Sequence, residues 1–402
     1  MVQLASTLVA AVAGLASVSL AHPGHNVKAE AAERAAFLKR SNVARGWGGC
    51  TAKLKARGLE GRSIARRKHA VEMLRRSKGL ETRAPFLKAR DLTALNTSHE
   101  SSLDVDLSTD PSVLFSSNAT CVLASDVTQG PYYVSGELIR KDITESQAGV
   151  PLYVDVQMVD SSTCEPVTGV YLDFWHCNAT GVYSGVVANG NGNSNDDSNL
   201  DATFLRGLQK TDAEGVAQFQ TIFPGHYTGR TTHIHVLTHS LDETTVNANN
   251  TLKALYTAHS AHVGQIFFDQ DLISTVEETS PYSTNTQELT TNDEDSILAE
   301  EADTIDPFVE YVFLGDSVSD GIFAWISLAM DSSQSSSVTP AAYYTEDGGV
   351  ENGSSGGGGG GRGGPGGPGG SGSGAPGSSA SGAPGSSASG APGSSASGAC
   401  AS

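Results

Sequence analysis

Positive charge is nearly missing from most of this chain. Of its 25 Lys and Arg, 18 lie between His22 and Arg90, opposed there by only five Glu, so that segment carries +13 and everything from Asp91 onward carries −32. A body that acidic argues against nucleic acid or an anionic membrane surface as a partner. A second long apolar run is also missing. Residues 1–21, MVQLASTLVAAVAGLASVSLA, end in small residues with Ala21 as the cleavage point, and read as a secretory signal peptide that lacks the usual basic start. With no other apolar stretch, no membrane span is expected. Cysteine is sparse: Cys50, Cys121, Cys164, Cys177 and Cys400 fit no zinc spacing. In a secreted chain they read as disulfide partners, with one bridge expected among Cys121, Cys164 and Cys177. Five N-x-[ST] sequons, at Asn96, Asn118, Asn178, Asn249 and Asn352, agree with an extracellular, glycosylated protein.

What is present divides the chain into four. After the signal peptide, residues 22–100 form a basic segment without proline between Pro23 and Pro85, in which KAEAAERAAFLKR and SIARRKHAVEMLRRSKGL read as helices. Its dibasic pairs Lys39-Arg40, Arg66-Arg67 and Arg75-Arg76 make it a candidate propeptide, or equally a solvated helical face. From 101 to 335 the texture changes to short β-rich runs such as PLYVDVQMVD, GVAQFQTIFPGHY and THIHVLTH, broken by Gly, Asn and Asp. That pattern predicts an all-β domain, a β-sandwich. FVEYVFLGDSVSDGIFAWISLAM reads as a closing hairpin whose GDSVSDG is a turn rather than an esterase nucleophile block. Residues 336–402 read as a low-complexity tail, with the octamer GAPGSSAS repeated from Gly374, Gly382 and Gly390. The tail is a candidate for cell-wall association.

The chemistry concentrates in FPGHYTGRTTHIHV, residues 223–236. Side chains two apart on a strand share a face, so His233 and His235 present two imidazoles to one point. A lone pair of strand histidines is usually structural, and the nearby tyrosines change the odds. Tyr227 lies just before them, and Tyr183 ends a preceding strand pair in DFWHCNATGVYSG. A phenol with a pKa near 10 is a poor zinc or copper ligand, whereas phenolate, a hard anion, suits ferric iron. A zinc or copper hydrolase would also want a third histidine or a carboxylate. The other histidines, and Trp175, default to structural roles.

Five ordered blocks, GPYYVSGELIRKDI, PVTGVYLDFWHCNATGVYSG, TDAEGVAQFQTIFPGHY, RTTHIHV and GQIFFDQD, resemble the intradiol ring-cleavage dioxygenases, with a texture closest to their secreted fungal branch. The resemblance covers roughly Cys121 to Asp271. It implies one Fe(3+) per chain, held by Tyr183, Tyr227, His233 and His235, with Tyr227 and His233 axial. It further implies that Tyr227 accepts a substrate proton, that Arg230 stabilises negative charge on the ring and that Gln265 orients oxygen atoms. Tyr132 and Tyr133 would line the substrate pocket. The implied reactants are a small aromatic diol and O2, and the implied product is a cis,cis-muconate. The chain departs from the family's usual pattern in reading RTTH for RPAH, and in spacing His233 only six positions after Tyr227, where the family commonly has a longer insert. The rival expectation is a secreted, non-catalytic β-sandwich that binds the cell wall, which would explain the strands but not the tyrosines and histidines together.

Overall fold

A computed structural model describes residues 28–29, 31–32, 35–36, 50, 52–82, 120–122, 130–188, 190–239, 246–252, 259–302, 305–332 and 336–352. The expected signal peptide, Asn96, Asn118, Cys400 and the octamer repeats lie outside these residues. The chain divides into a unit over 1–358 and a second over 359–402, which also lies outside them.

Period-two alternation builds the first unit. Strands β1 (Thr120–Val122), β3 (Pro151–Asp160), β6 (Val216–Ile222), β9 (Glu310–Phe313) and β10 (Ile322–Met330) form one sheet. In it β10 runs parallel to β3 and antiparallel to β9, which closes the predicted hairpin. A second, antiparallel sheet has the order β11 (Ser336–Ser337), β8 (His259–Phe267), β7 (His233–His239), β4 (Tyr171–Trp175), β5 (Arg206–Lys210). Alternate residues Val154 and Val156 of β3, Ala324 and Ile326 of β10, Leu172 and Phe174 of β4, and Ile234 and Val236 of β7 meet in one buried cluster. The fold is therefore a β-sandwich, and burying each Val, Leu, Ile or Phe contributes about 1.5–3 kcal/mol to it. Two short helices, α2 (Gln270–Glu277) and α3 (Ser296–Ala302), follow β8.

The outward-facing residues carry the rest of the story. On the first sheet Phe323 and Trp325 of β10 pack with Ile64 and Val71 of a 19-residue helix, α1 (Leu59–Ser77). Its buried positions Leu59, Ser63, Arg67, Val71 and Arg75 recur every four residues, one face of a helix. The helix ends in a Schellman turn, with Leu80 N–H donating to Arg75 O and Gly79 (φ 70°) in the left-handed conformation. Arg66 donates two 2.9 Å hydrogen bonds to Asp155, which is fully buried on β3. Arg67 Nε lies 3.4 Å from the same carboxylate, and Arg75 Nε donates to Leu314 O at 2.8 Å. A disulfide joins Cys50 to Cys164, while Cys177 is free and buried. That pairing corrects the expected bridge among Cys121, Cys164 and Cys177: the partner comes from the basic segment. Half of α1's buried face is polar, and each of these side chains has a partner beneath it: Ser63 donates to Gln157, Arg67 lies against Asp155 and Arg75 donates to Leu314 O.

Residues after 335 correct the expected tail boundary. A third sheet pairs β2 (Val134–Ser135) with β12 (Ala342–Thr345), which in turn forms a hairpin with β13 (Gly348–Glu351). The turn Glu346-Asp347 ahead of Gly348 (φ 106°) is a tight hairpin signal masked by the Ser- and Gly-rich surroundings. Among the described residues no helix is long and apolar enough to cross a membrane.

Candidate metal centre

On the outward face of the second sheet, neighbouring strands place Arg206, Trp175, His235 and Gln265 side by side in one row. His233 lies two residues before His235 on that face, opposite Phe267. The two Nε2 atoms are 3.0 Å apart. Tyr227 Oη lies 3.3 Å, and Tyr183 Oη 3.5 Å, from His233 Nε2. All four side chains are at most 2 % exposed. Two ligands each about 2.1 Å from a common ion and at right angles are about 3.0 Å apart, so these separations suit ligands of one ion.

Local structure fixes each donor. His233 Nδ1 donates to Thr231 O at 2.6 Å, which directs the Nε2 lone pair inward. Trp175 stacks on His235 with centroids 5.0 Å apart and planes 5° from parallel. Gly130 (φ 82°) passes so close that an added Cβ would lie 3.2 Å from His235 Cε1. Tyr227 opens a tight turn through Gly229 (φ 90°) to Arg230. Tyr183 sits in a loop, not a strand, and there Asn191 and Asn199 donate to its carbonyl at 2.8 and 2.7 Å while Asn191 Oδ1 accepts from its N–H.

The donor set fits a hard trivalent cation. Burial pushes the Tyr183 and Tyr227 hydroxyls well above the ordinary phenol value; each phenol's neighbours add to this, and Arg230 opposes it. Such phenols ionise only against a strong local positive charge, which ferric iron supplies and two imidazoles do not. Among the described residues, no group of three or more His, Cys, Asp or Glu side chains forms an alternative site.

Arg230, fully buried, donates through Nε to Asp295 Oδ2 at 2.8 Å and through Nη2 to Gln265 Oε1 at 2.5 Å. Arg230 and Gln265, expected to stabilise ring charge and to orient oxygen atoms respectively, are thus bonded to each other. Tyr132 reaches the ligands: its ring stacks on Tyr183 at 4.5 Å and meets Tyr227 edge-on at 5.8 Å. Its buried hydroxyl has no hydrogen-bond partner among the described residues. Tyr133 differs from expectation. It packs on Trp175, with its hydroxyl near Ser135, Asp173 and Glu137, and so braces the site behind His235.

Arg206, Asn191, Asn199 and Asp295 were missed by sequence reasoning. Arg206 ties the two tyrosine segments together, donating to Ser184 O, Tyr132 O and Glu137. No local pattern marks an arginine in a strand or an asparagine in a turn as a support for a residue distant in sequence. His176, His226 and His239 take structural roles, bonding Thr221, Glu277 and Asp173 respectively.

Residues 128–302 match the model of the Dioxygenase_C family, described as "Dioxygenase". Among solved structures, an intradiol ring-cleavage dioxygenase from Tetranychus urticae is 30% identical, covering 53% of this chain and 96% of that one, with a TM-score of 0.42. The dioxygenase domain of a carbohydrate-binding fusion protein from Streptomyces sp. SirexAA-E is 24% identical, covering 50% and 94%, with a TM-score of 0.29. Catechol 1,2-dioxygenase from Pseudomonas arvilla C-1 is 18% identical, covering 50% and 60%, with a TM-score of 0.30. Comparison with curated proteins gives no match.

Proposed function

This chain belongs to the intradiol ring-cleavage dioxygenases, and from that premise we propose that it is a secreted, ferric enzyme acting on catechol-type diols. The reaction breaks the bond between the two hydroxylated carbons, and both atoms of O2 enter the two new carboxyl groups of a cis,cis-muconate. The observation that carries the reading is the convergence of Tyr183, Tyr227, His233 and His235 on one buried point. One ferric ion per chain would supply the Lewis acid that gathers the diol and orients it.

The surrounding residues have separable tasks. Tyr227 is suited to accept a diol proton, since its oxygen lies at the site, 3.3 Å from His233 Nε2, and a phenolate is a proton acceptor. Arg230 supplies a fixed positive charge for the negative charge that develops on the ring as it ketonises, an electrostatic contribution of a few kcal/mol in a water-excluded site. With its Oε1 committed to Arg230, Gln265 can act toward an oxygen only as an N–H donor. Tyr132 offers its ring as a wall and its hydroxyl to the substrate.

The extracellular assignment draws support from the Cys50–Cys164 disulfide, which persists in oxidising compartments, and from the apolar run at residues 1–21. The low-complexity tail is the segment through which wall association would occur. Oxygen uptake with catechol, followed by chromatography of the product, tests the reading. One muconate formed per O2 consumed supports it; no uptake with any simple catechol by iron-loaded protein contradicts it.

A further inference from the structure

We propose that Asp295 is the positioning residue for Arg230, and that the segment 290–295 braces the short loop between Tyr227 and His233. The inference rests on the functional reading above, since it concerns how Arg230 is held for that reaction.

Asp295 is 1% exposed and its two oxygens divide their work. Oδ2 accepts Arg230 Nε at 2.8 Å and the Thr231 N–H at 2.9 Å. Oδ1 accepts the N–H groups of Ile297 and Leu298, which anchors the carboxylate to α3. Burial alone would raise this carboxyl; the Arg230 charge and the hydrogen bonds it accepts more than offset that and hold it below the usual carboxylate range. Two neighbours extend the brace. Asn292 Oδ1 accepts from Thr231 Oγ1 at 2.5 Å while its Nδ2 donates to Phe268 O at 2.9 Å. Thr290 Oγ1 accepts the Gly229 N–H at 2.9 Å. Residues 229, 230 and 231 are thus all tied to 290–295.

The departure from the family's usual pattern gains a reason here. A proline at 231 has no N–H and no hydroxyl, so it could make neither the bond to Asp295 nor that to Asn292. With only five residues between Tyr227 and His233, this chain holds Arg230 by side-chain hydrogen bonds from a distant segment. The guanidinium is planar, so holding Nε on Asp295 sets the direction of that plane and aims Nη2 at Gln265.

The test is Asp295→Asn in the full iron-loaded chain. The variant keeps the shape and the helix cap and removes the charge that fixes Arg230. We expect unchanged iron content and visible spectrum, KM for catechol within about twofold, and kcat per bound iron lower by about tenfold or more. A residue that merely stabilises the fold would lower the melting temperature and leave kcat per iron unchanged, and that result overturns the proposal. If Asp295→Asn does not accumulate as folded protein, Asn292→Ala removes the Thr231 Oγ1 bond while leaving Arg230–Asp295 in place, and kcat per iron unchanged in it overturns the brace. A second readout needs no turnover: the Arg230 Nε–H resonance in the iron-free full chain should be shifted downfield and protected from exchange. A solvent-like Arg230 resonance overturns the proposal, whereas a protected resonance in a chain that cleaves no catechol overturns the functional reading alone.

Discussion

Replacing Arg66 by alanine should loosen α1 from the sandwich by an amount that follows from its contacts. Arg66 makes both oxygens of Asp155 partners at 2.9 Å, and Asp155 is fully buried. Breaking a buried ion pair from one side typically costs about 3–5 kcal/mol. Two facts reduce that here: Asp155 keeps Gln218 Nε2 at 2.8 Å and Arg67 Nε at 3.4 Å, and the Arg66 side chain is 17% exposed. About 2–3 kcal/mol is therefore expected, which in a domain of this size lowers Tm by about 5–10 °C. Burial alone would raise the Asp155 carboxyl, but the Arg66 hydrogen bonds and the charges of both arginines more than reverse this and set it below the usual range. A carboxylate depressed in the folded state stabilises above its unfolded pKa, about 3.9, and that stabilisation is lost as pH falls through the folded value. Wild type should therefore lose stability on acidification below about pH 4–5 more steeply than Arg66→Ala. Thermal denaturation between pH 3 and 7, with Asp155→Asn and the double variant completing a cycle, reads both effects. An Arg66→Ala Tm within about 1 °C of wild type would refute the reasoning and return the basic segment to the role of a removable propeptide.

Other outcomes follow from the site and its supports. Tyr183→Phe should abolish iron retention or turnover, measured by metal analysis and oxygen uptake, because it removes one of the four converging donors. Arg230→Ala should keep its iron while kcat falls by about 10²–10³, the size of effect seen when one preorganised donor is removed. Cys50→Ser should lower stability by about 2–5 kcal/mol in denaturant titrations. In the intact protein, a protease nick between Cys50 and α1 should leave the fragments joined until a reductant is added, which gel electrophoresis with and without reductant will show.

The legible part of this protein was its chemistry and its sheets. His233 and His235 declared a shared face through their spacing alone, and the alternation of Leu152, Val154 and Val156 marked a strand with one face to the core. Tyr183, Tyr227, Arg230 and Gln265 came from ordered blocks rather than from any local pattern. Supports such as Asp295 and Arg206 stayed hidden, because what makes them supports is contact across about 65–70 residues of sequence, as in Arg230–Asp295 and Arg206–Glu137. The basic segment misled for the opposite reason. Rows of arginine normally read as solvated, and only the buried Asp155 beneath Arg67 and the Leu314 carbonyl beneath Arg75 show why these two are inside. Tyr133 packs on Trp175, behind His235, rather than on the two tyrosines that Tyr132 meets.

The central claim is that four buried donors hold one ferric ion for a chelating diol. The visible absorption spectrum of the purified full chain, with iron measured on the same sample, tests it most directly. The account predicts one iron per chain, a broad tyrosinate-to-iron charge-transfer band and a shift of that band on adding catechol. A chain that stays colourless after ferric loading, or that binds iron without a tyrosinate band, would contradict it.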